Sequence, residues 1–326
     1  MITFRINQQS QVGLRLDKFI VQQMPDYSRT RIQSWIKTKN ILVNGEGKKS
    51  GYALEFDDLV EVTIPESEPL EYELIPESLD LDILYEDDSI AVIDKPAGLV
   101  VHPGVGNQTG TLVNGLVHHF QTLSNVNGET RPGIVHRLDM NTSGIILVAK
   151  SNVAHAALAD QFQKRTVKKN YTGLAWGNWK DAEGEINFSI ARKKKDPMSY
   201  VVSNDGKPSR TKYKIEKQFR HLALVSLYPK TGRTHQIRVH TSYLGYPIFG
   251  DEKYGGGISK TREFLPEFTK YYKNEIDKFN RHALHAKGLE FVHPVSNKKV
   301  FFQSPLPTEF INLISSIESF YDLRCQ

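Results

Sequence analysis

The chain has 326 residues, of which 39% are hydrophobic and 24% charged, and its formal net charge is +5. This length allows two domains, and the modest basic excess is compatible with a nucleic-acid partner. The one cysteine, Cys325, excludes a disulfide framework or a cysteine-based zinc site and indicates a reducing compartment. We find neither an apolar signal segment at the N-terminus nor a run of eighteen apolar residues, so we expect no secretion and no membrane span.

Residues 1–62 have the pattern of a small unit with two helices followed by two strands. Apolar residues at helical spacing predict the helices, and the strands are expected at 41–45 and 59–62. The outward side of the second helix and its C-terminal end carry four basic residues: Arg29, Arg31, Lys37 and Lys39. We predict that they bind RNA phosphates, because a helix N-terminus adds a field that favours anions. A solvated surface is the alternative.

Residues 63–80 differ in composition from both of their neighbours. They contain three prolines, six acidic residues and no basic residue, which predicts an extended, solvated linker. The linker therefore separates a domain at 1–62 from a large domain at 81–326. Since the linker is acidic and the whole chain is basic, most of the positive excess lies in the large domain, where an RNA surface would need it.

The large domain is predicted to be α+β, built on a mixed, mostly antiparallel sheet. A hairpin is expected around the turn at 87–89, strands dominate 167–227, and apolar spacing indicates an amphipathic helix near the C-terminus. The many charges of residues 258–280 predict an inserted surface excursion. The apolar run at 145–149 reads as a buried strand.

Directly before this strand lies the stretch 133–144, which reads GIVHRLDMNTSG. Here Asp139 stands beside Arg137 and His136 at the mouth of a core strand. A neighbouring arginine favours the ionised carboxylate and so keeps it available as a nucleophile or a base. A structural Arg–Asp pair that fixes a loop is the alternative.

Five runs, in order, resemble the pseudouridine synthases that modify large-subunit ribosomal RNA. They are DKPAGLVVHPG (94–104), HRLDMNTSG (136–144), KNY (169–171), TGRTHQIRVH (231–240) and GD (250–251) with Tyr254. Residues 1–62, with RLDKFI and VNG, resemble the S4 RNA-binding domain. Within the family, residues 98–107 are most similar to the D-type large-subunit enzymes.

The resemblance implies roles for individual residues. Asp139 is the essential aspartate, Tyr171 lies against the target base, and Arg238 pairs with Asp139. Arg137 enters the base stack in place of the flipped nucleotide, which offsets part of the cost of unstacking. The predicted RNA-binding set is completed by His136, Arg233 and His235.

The predicted function is therefore an RNA pseudouridine synthase. Its reaction breaks the bond between N1 of uracil and C1′ of ribose, turns the base and rejoins it through C5. Because the reaction needs neither redox chemistry nor hydrolysis, we expect no cofactor. The expected partner is 23S ribosomal RNA or a large-subunit precursor, and we expect a cytoplasmic monomer that does not bind membranes.

Two other functions remain compatible with parts of the sequence. One is a non-catalytic rRNA-binding or ribosome-assembly factor that keeps the same fold. The other is a metal-dependent nuclease, since four histidines of the chain are possible metal ligands. Their spacing is neither that of a zinc-protease helix nor that of a zinc finger, so we expect no metal. These histidines are His102, His136, His235 and His240.

Overall fold

The structure is a computed structural model that describes residues 2–25, 27, 29–65, 74–104, 106–128 and 130–322. Cys325 and residues 66–73 of the predicted linker lie outside the described residues. The strands are β1 (Ile2–Arg5), β2 (Ile41–Val43), β3 (Leu59–Val62), β4 (Asp82–Glu86), β5 (Ile90–Lys95), β6 (Ser143–Ala149), β7 (Lys168–Trp176), β8 (Glu183–Asn187), β9 (Ile190–Lys193), β10 (Asp196–Val202), β11 (Arg210–Gln218), β12 (Leu222–Pro229), β13 (Leu284–Val292) and β14 (Lys299–Gln303). The helices are α1 (Leu16–Gln23), α2 (Arg29–Lys37), α3 (Leu112–His119), α4 (Asn152–Lys164), α5 (Gln236–Tyr243), α6 (Pro266–Phe279) and α7 (Thr308–Asp322).

Residues 2–62 fold around a core of their own. The strands pair in the order β1-β3-β2, all antiparallel, and α1 packs against α2. The apolar residues that predicted the two helices are buried in this core, so both helices are confirmed: Leu16, Phe19, Ile20, Met24, Ile32, Trp35 and Ile36. The two predicted strands are confirmed as β2 and β3, whereas β1 was not predicted.

The described end of the predicted linker, residues 74–80, contains no helix or strand and lies along the large unit. The Asn114 side chain donates a hydrogen bond to the Ile75 carbonyl (2.8 Å), and the Gly110 N–H donates to the Glu77 carboxylate (3.0 Å). Leu74 packs against the apolar cluster that contains α3. This part of the predicted linker is therefore attached to the large unit rather than solvated, as had been expected.

The large sheet is mixed and mostly antiparallel, as predicted. Its strand order is β4-β5-β6-β13-β7-β12-β11-β8, and β14 pairs with β13. The β6–β13 pair is parallel and the other pairs are antiparallel. The predicted hairpin around residues 87–89 is confirmed as β4–β5. A separate antiparallel pair, β9–β10, stands outside the large sheet.

All seven residues of β6 are buried, because the sheet is covered on both faces at this strand. Ile145 and Leu147 face a cluster that includes α4. Ile146 and Val148 face the opposite cluster, which includes α3. The continuous apolar run at 145–149 thus reflects a central strand, and its N-terminal end brings the stretch 133–144 to the middle of the sheet.

The predicted surface excursion at 258–280 is wrong. A 3₁₀ turn at Ile258–Thr261 leads into α6, whose Phe268, Tyr272 and Phe279 are buried in the largest apolar cluster. The charged residues of α6 occupy its outer face, so they hid an amphipathic helix. In the part of the chain that the structure describes, no helix is long and apolar enough to cross a membrane.

Candidate active site

A cavity of about 500 Å³ opens beside the start of β6. Its walls come from residues 135–139, from the start of β7, and from the loop and helix at 229–238. Among the described lining residues Asp139 is the only carboxylate. Six lining residues carry basic side chains: Arg137, Arg165, Lys169, Lys230, Arg233 and Arg238. One acid among many cations suits a site that receives a polyanion.

Asp139 is fixed by Arg238, which is itself fixed by Asp251. The Nη1 of Arg238 donates to Oδ2 of Asp139 at 3.0 Å. Its Nε and Nη2 donate to the two carboxylate oxygens of Asp251, at 2.7 and 2.8 Å. Burial opposes the charge of Arg238, but the hydrogen bonds and charges of Asp251 and Asp139 outweigh burial and raise the pKa of the guanidinium. Arg238 therefore stays charged against the Asp139 carboxylate.

The loop before α5 places Arg238, and Gln236 holds this loop. Its Oε1 accepts hydrogen bonds from the Thr231 hydroxyl (2.6 Å) and the Arg233 N–H (3.0 Å). Its Nε2 donates to the Thr211 hydroxyl on β11 (3.0 Å). Because Gln236 is buried and these groups are satisfied, the loop is tied to the sheet two residues before Arg238.

His235 lies on the other side of Asp139. Its Nε2 is 3.9 Å from Asp139 Oδ1, and its Nδ1 is 2.7 Å from the Tyr254 hydroxyl. The Tyr254 hydroxyl also accepts the Tyr200 N–H (3.1 Å). Burial lowers the pKa of His235, which favours the neutral imidazole. The Tyr254 ring lies 5.0 Å from the Arg238 guanidinium carbon, so one tyrosine supports both partners of Asp139.

Tyr171 and Lys169 both line the cavity because they are two residues apart on β7 and point to the same side. Burial, and then the charge of Asp139, raises the pKa of Tyr171, so the phenol keeps its proton at neutral pH. Lys169 donates to the Thr231 carbonyl at 3.1 Å. Burial lowers the pKa of Lys169 to about 8.

The loop that carries Asp139 is fixed by hydrogen bonds from Lys95 and by the close approach of β6 to β13. Lys95 is fully buried, and its Nζ donates to the Pro96 (2.7 Å), Leu99 (2.9 Å) and Met140 (3.0 Å) carbonyls. Gly144 has φ +111°, and a Cβ there would lie 2.3 Å from the Ala286 carbonyl oxygen. Only glycine lets β6 approach β13 this closely.

The other predicted residues of this region differ in their placement. Arg137 is exposed at the cavity edge, with Nη1 3.4 Å from Nε2 of His102, and Arg233 lines the cavity. His136 is held as a structural residue: its Nε2 accepts the Leu147 N–H (2.8 Å), and its ring stacks on Phe162. Burial lowers the pKa of His136 to about 3. These contacts fix the His136 ring at the cavity that it lines, and its role in binding RNA stays a prediction.

None of the four basic residues predicted in the N-terminal unit lines the cavity. Arg29 donates to the buried Asp17 carboxylate at 2.8 Å, so its charge is compensated within this unit. The Arg31 guanidinium lies 5.5 and 5.6 Å from the ring centres of Tyr27 and Trp35. Lys37 and Lys39 are exposed.

Three residues that support the site had no assigned role in the sequence. Asp251 and Tyr254 stood in a run that matched the family, so a signal existed. Tyr200, whose ring also contacts His235, had none. Within the described residues, no three His, Cys, Asp or Glu side chains are grouped as a metal site; His240 contacts the Thr211 hydroxyl and the Phe188 carbonyl instead.

Comparison with known families gives two matches. The family described as RNA pseudouridylate synthase matches residues 89–243, and the S4 domain matches residues 14–60. The first match contains Asp139, Tyr171 and Arg238, and the second contains α1 and α2.

Relatives from bacteria are similar to this chain over nearly its whole length. A Bacillus subtilis (strain 168) protein with the name "Uncharacterized RNA pseudouridine synthase YlyB" is 42% identical, over 95% of this chain and 96% of its own length. Ribosomal large subunit pseudouridine synthase D of Pasteurella multocida (strain Pm70) is 36% identical, over 97% and 95%. The Salmonella typhimurium protein of the same name is 38% identical, over 96% and 94%.

Two solved human structures share the fold. RNA Pseudouridylate Synthase Domain Containing 1 is 26% identical with a TM-score of 0.53, covering 70% of this chain and 84% of its own. RNA Pseudouridylate Synthase Domain Containing 4 is 24% identical with a TM-score of 0.56, covering 73% and 93%.

Proposed function

We propose that this chain, which belongs to the RNA pseudouridylate synthase family, isomerises specific uridines of large-subunit (23S) ribosomal RNA to pseudouridine. That it is a pseudouridine synthase with an S4 domain follows from its family. The large-subunit substrate is supported by near full-length relatives with that name. The observation that carries the chemistry is Asp139, the only carboxylate among the described lining residues of the cavity.

We assign three residues to the reaction. Asp139 supplies the carboxylate that engages the target nucleotide, and Arg238 keeps it oriented through the 3.0 Å hydrogen bond. Tyr171 forms a wall against the uracil ring and, because its raised pKa keeps it protonated, adds no second negative charge. Uracil loses the hydrogen on C5 and gains one on N1, so atoms and electrons balance without a cofactor.

The basic residues around the cavity supply the binding surface for the RNA backbone. Arg137 and Arg233 stand at the cavity, where they can contact the strand that carries the target uridine. In the S4 domain, Lys37 and Lys39 are exposed and can contact RNA phosphates, and Arg31 lies on the ring face of Trp35. The Arg29 charge is compensated by the salt bridge to Asp17, so we expect a smaller contribution of Arg29 to RNA binding.

We propose 23S rRNA or its precursor as the substrate and the cytoplasm as the location of the protein. We propose that a monomer suffices, since Arg238, Asp251, His235 and Asp139 all come from one chain. Light scattering at working concentration, with and without RNA, tests the oligomeric state.

Activity is tested with a 23S transcript that carries tritium at C5 of its uridines, because isomerisation releases the C5 hydrogen. Wild-type protein should release tritium, whereas Asp139→Asn should release essentially none and still bind the transcript. Mapping pseudouridine in rRNA from cells with and without the protein identifies the positions. Release by wild type from unrelated RNA but not from 23S RNA would contradict the proposed substrate, and release near the wild-type rate by Asp139→Asn would contradict the assigned carboxylate.

A further inference from the structure

A second cavity, of about 240 Å³, lies behind the segment that forms the edge of the first. Both cavities are lined by residues 135–137, so Arg137 stands between them. The remaining lining residues of the second cavity are His102, Asn127, Arg131 and Ile134. No role has been assigned to this cavity by the reaction described above.

The second cavity concentrates positive charge. Arg131 and Arg137 line it together with His102, whose Nε2 is 3.4 Å from Arg137 Nη1. Both arginines are exposed. Among the described residues, neither of them forms a salt bridge. Burial, followed by the charges of Arg131 and Arg137, lowers the pKa of His102. The described lining residues include no carboxylate, so these like charges repel one another, and an anion between them would remove that repulsion.

The chemistry of the walls favours a phosphate group over a base. A base bound on a protein surface is normally stacked on an aromatic ring or a guanidinium plane. The second cavity has no Phe, Tyr or Trp among its described lining residues, and the His136 ring is already stacked on Phe162. The Arg131 guanidinium, in contrast, matches the oxygens of a phosphodiester in geometry and in charge.

We propose that His102 and Arg131, which lie beside Arg137 in the second cavity, form a subsite for one phosphodiester of the RNA strand that flanks the target uridine. This inference rests on the proposed function, since it takes RNA as the ligand. The shared wall at residues 135–137 determines that this phosphate belongs to a nucleotide near the one in the catalytic cavity. In this arrangement the subsite fixes the backbone beside the uridine while Asp139 engages the uridine itself.

The experiment replaces single phosphodiesters by neutral methylphosphonates, one linkage at a time, on both sides of the target uridine in a short 23S fragment. Affinity is measured in the Asp139→Asn background, so that no product forms during binding. With the wild-type subsite, the methylphosphonate at one linkage should lower the affinity for the RNA at least about tenfold. This is the size expected for the loss of a charged hydrogen bond. Arg131→Gln should bind that methylphosphonate RNA and the unmodified RNA equally.

Two further variants separate the subsite from the general charge of the protein. Arg131→Lys retains a cation and should keep part of the tenfold response. Arg262→Gln removes one exposed positive charge outside both cavities and should respond as fully as the wild-type subsite. The proposal is overturned if no linkage gives the response, or if Arg131→Gln retains it or Arg262→Gln loses it.

The two proposals fail in different measurements. Tritium release by the protein with Asp139 intact tests the isomerisation of 23S RNA. The difference in affinity between methylphosphonate and unmodified RNA, measured without turnover, tests the subsite. Arg131 is exposed, so a thermal unfolding curve for Arg131→Gln that matches the parent protein confirms that loss of the response is local.

Discussion

Arg238 donates one hydrogen bond to Asp139 and two to Asp251. Arg238 is 7% exposed, so the orientation of its guanidinium is determined by Asp251 rather than by solvent. Asp251 does not line the cavity. It acts on the site through Arg238 and is a positioning residue.

Asp251→Asn should therefore lower kcat at least about tenfold, a cost of about 1.4 kcal/mol, and leave the affinity for RNA nearly unchanged. Removing one charge of a buried pair should also lower stability, by up to about 3–5 kcal/mol. Single-turnover kinetics and thermal unfolding measure the two effects. Asp277→Asn, which changes an exposed carboxylate on α6, serves as the control. A fall in affinity with unchanged kcat would contradict the positioning role.

Lys169 gives a prediction for the pH dependence of RNA use. Burial lowers its pKa to about 8, so its charge is present below pH 8 and is lost as pH rises through that value. We expect kcat/KM on RNA to fall above pH 8 for this reason. Lys169→Arg keeps a cation at all these pH values and should remove that fall, whereas Lys169→Met should show the lowered value throughout. Wild-type and Lys169→Arg profiles of identical shape would show that Lys169 does not cause the fall.

Asp17 gives a prediction for the stability of the S4 domain. Its carboxylate is buried, which by itself would raise its pKa, but hydrogen bonds from Arg15, Arg29 and Gln33 outweigh burial and lower the pKa. Because the folded pKa lies below the unfolded value of about 3.9, this stabilisation is present above pH 4 and is lost as pH falls towards the folded pKa.

Asp17→Asn should accordingly destabilise the S4 domain at pH 7, by about 1.5–3 kcal/mol from the charged hydrogen bonds that it weakens. The difference from wild type should shrink below about pH 4. Hydrogen exchange of the α2 amides, compared between the two proteins at pH 7 and pH 3, measures it. Asp57→Asn, an exposed carboxylate in the same unit, is the control. An equal difference at both pH values would mean that the ionised form of Asp17 is unimportant.

The sequence predicted those features that depend on short stretches of chain. The run at 145–149 is apolar because β6 is buried on both faces, and this alone placed Asp139 at the mouth of a core strand. The charges of α6 led to the wrong prediction because they lie on its outer face, where packing does not select them. Its buried residues, such as Tyr272, contact partners distant in sequence.

The same limit applies to the site. The pairing of Asp139 with Arg238 joins residues 99 positions apart, and it was available only from the family resemblance. The hydrogen bond from the Tyr200 N–H to the Tyr254 hydroxyl joins β10 to a 3₁₀ turn at Glu252–Tyr254, and no local pattern records it. The hydrogen bond from the Leu147 N–H to Nε2 of His136 depends on the bend of the chain between them, and no local pattern records it either.

The last prediction separates Arg137 from Arg238. Arg137 is exposed at the edge of the cavity, whereas Arg238 is buried against Asp139. If Arg137 takes the place of the flipped base, then Arg137→Ala should lower kcat/KM on structured RNA more than on RNA whose target uridine is already unstacked. The reason is that unstacking costs a few kcal/mol only in the structured RNA. Arg238→Met disturbs the carboxylate and should impair both RNAs equally.

The measurement is one ratio for each variant: kcat/KM on a hairpin substrate divided by kcat/KM on an unstructured strand of the same local sequence. Arg137→Ala should lower this ratio at least about fivefold, which corresponds to about 1 kcal/mol of unstacking no longer offset. Arg238→Met should leave it at the wild-type value. Since the two arginines differ in burial, thermal unfolding of both variants must accompany the kinetics. An equal fall of the ratio in both variants would show that Arg137 has no separate role in holding the flipped state.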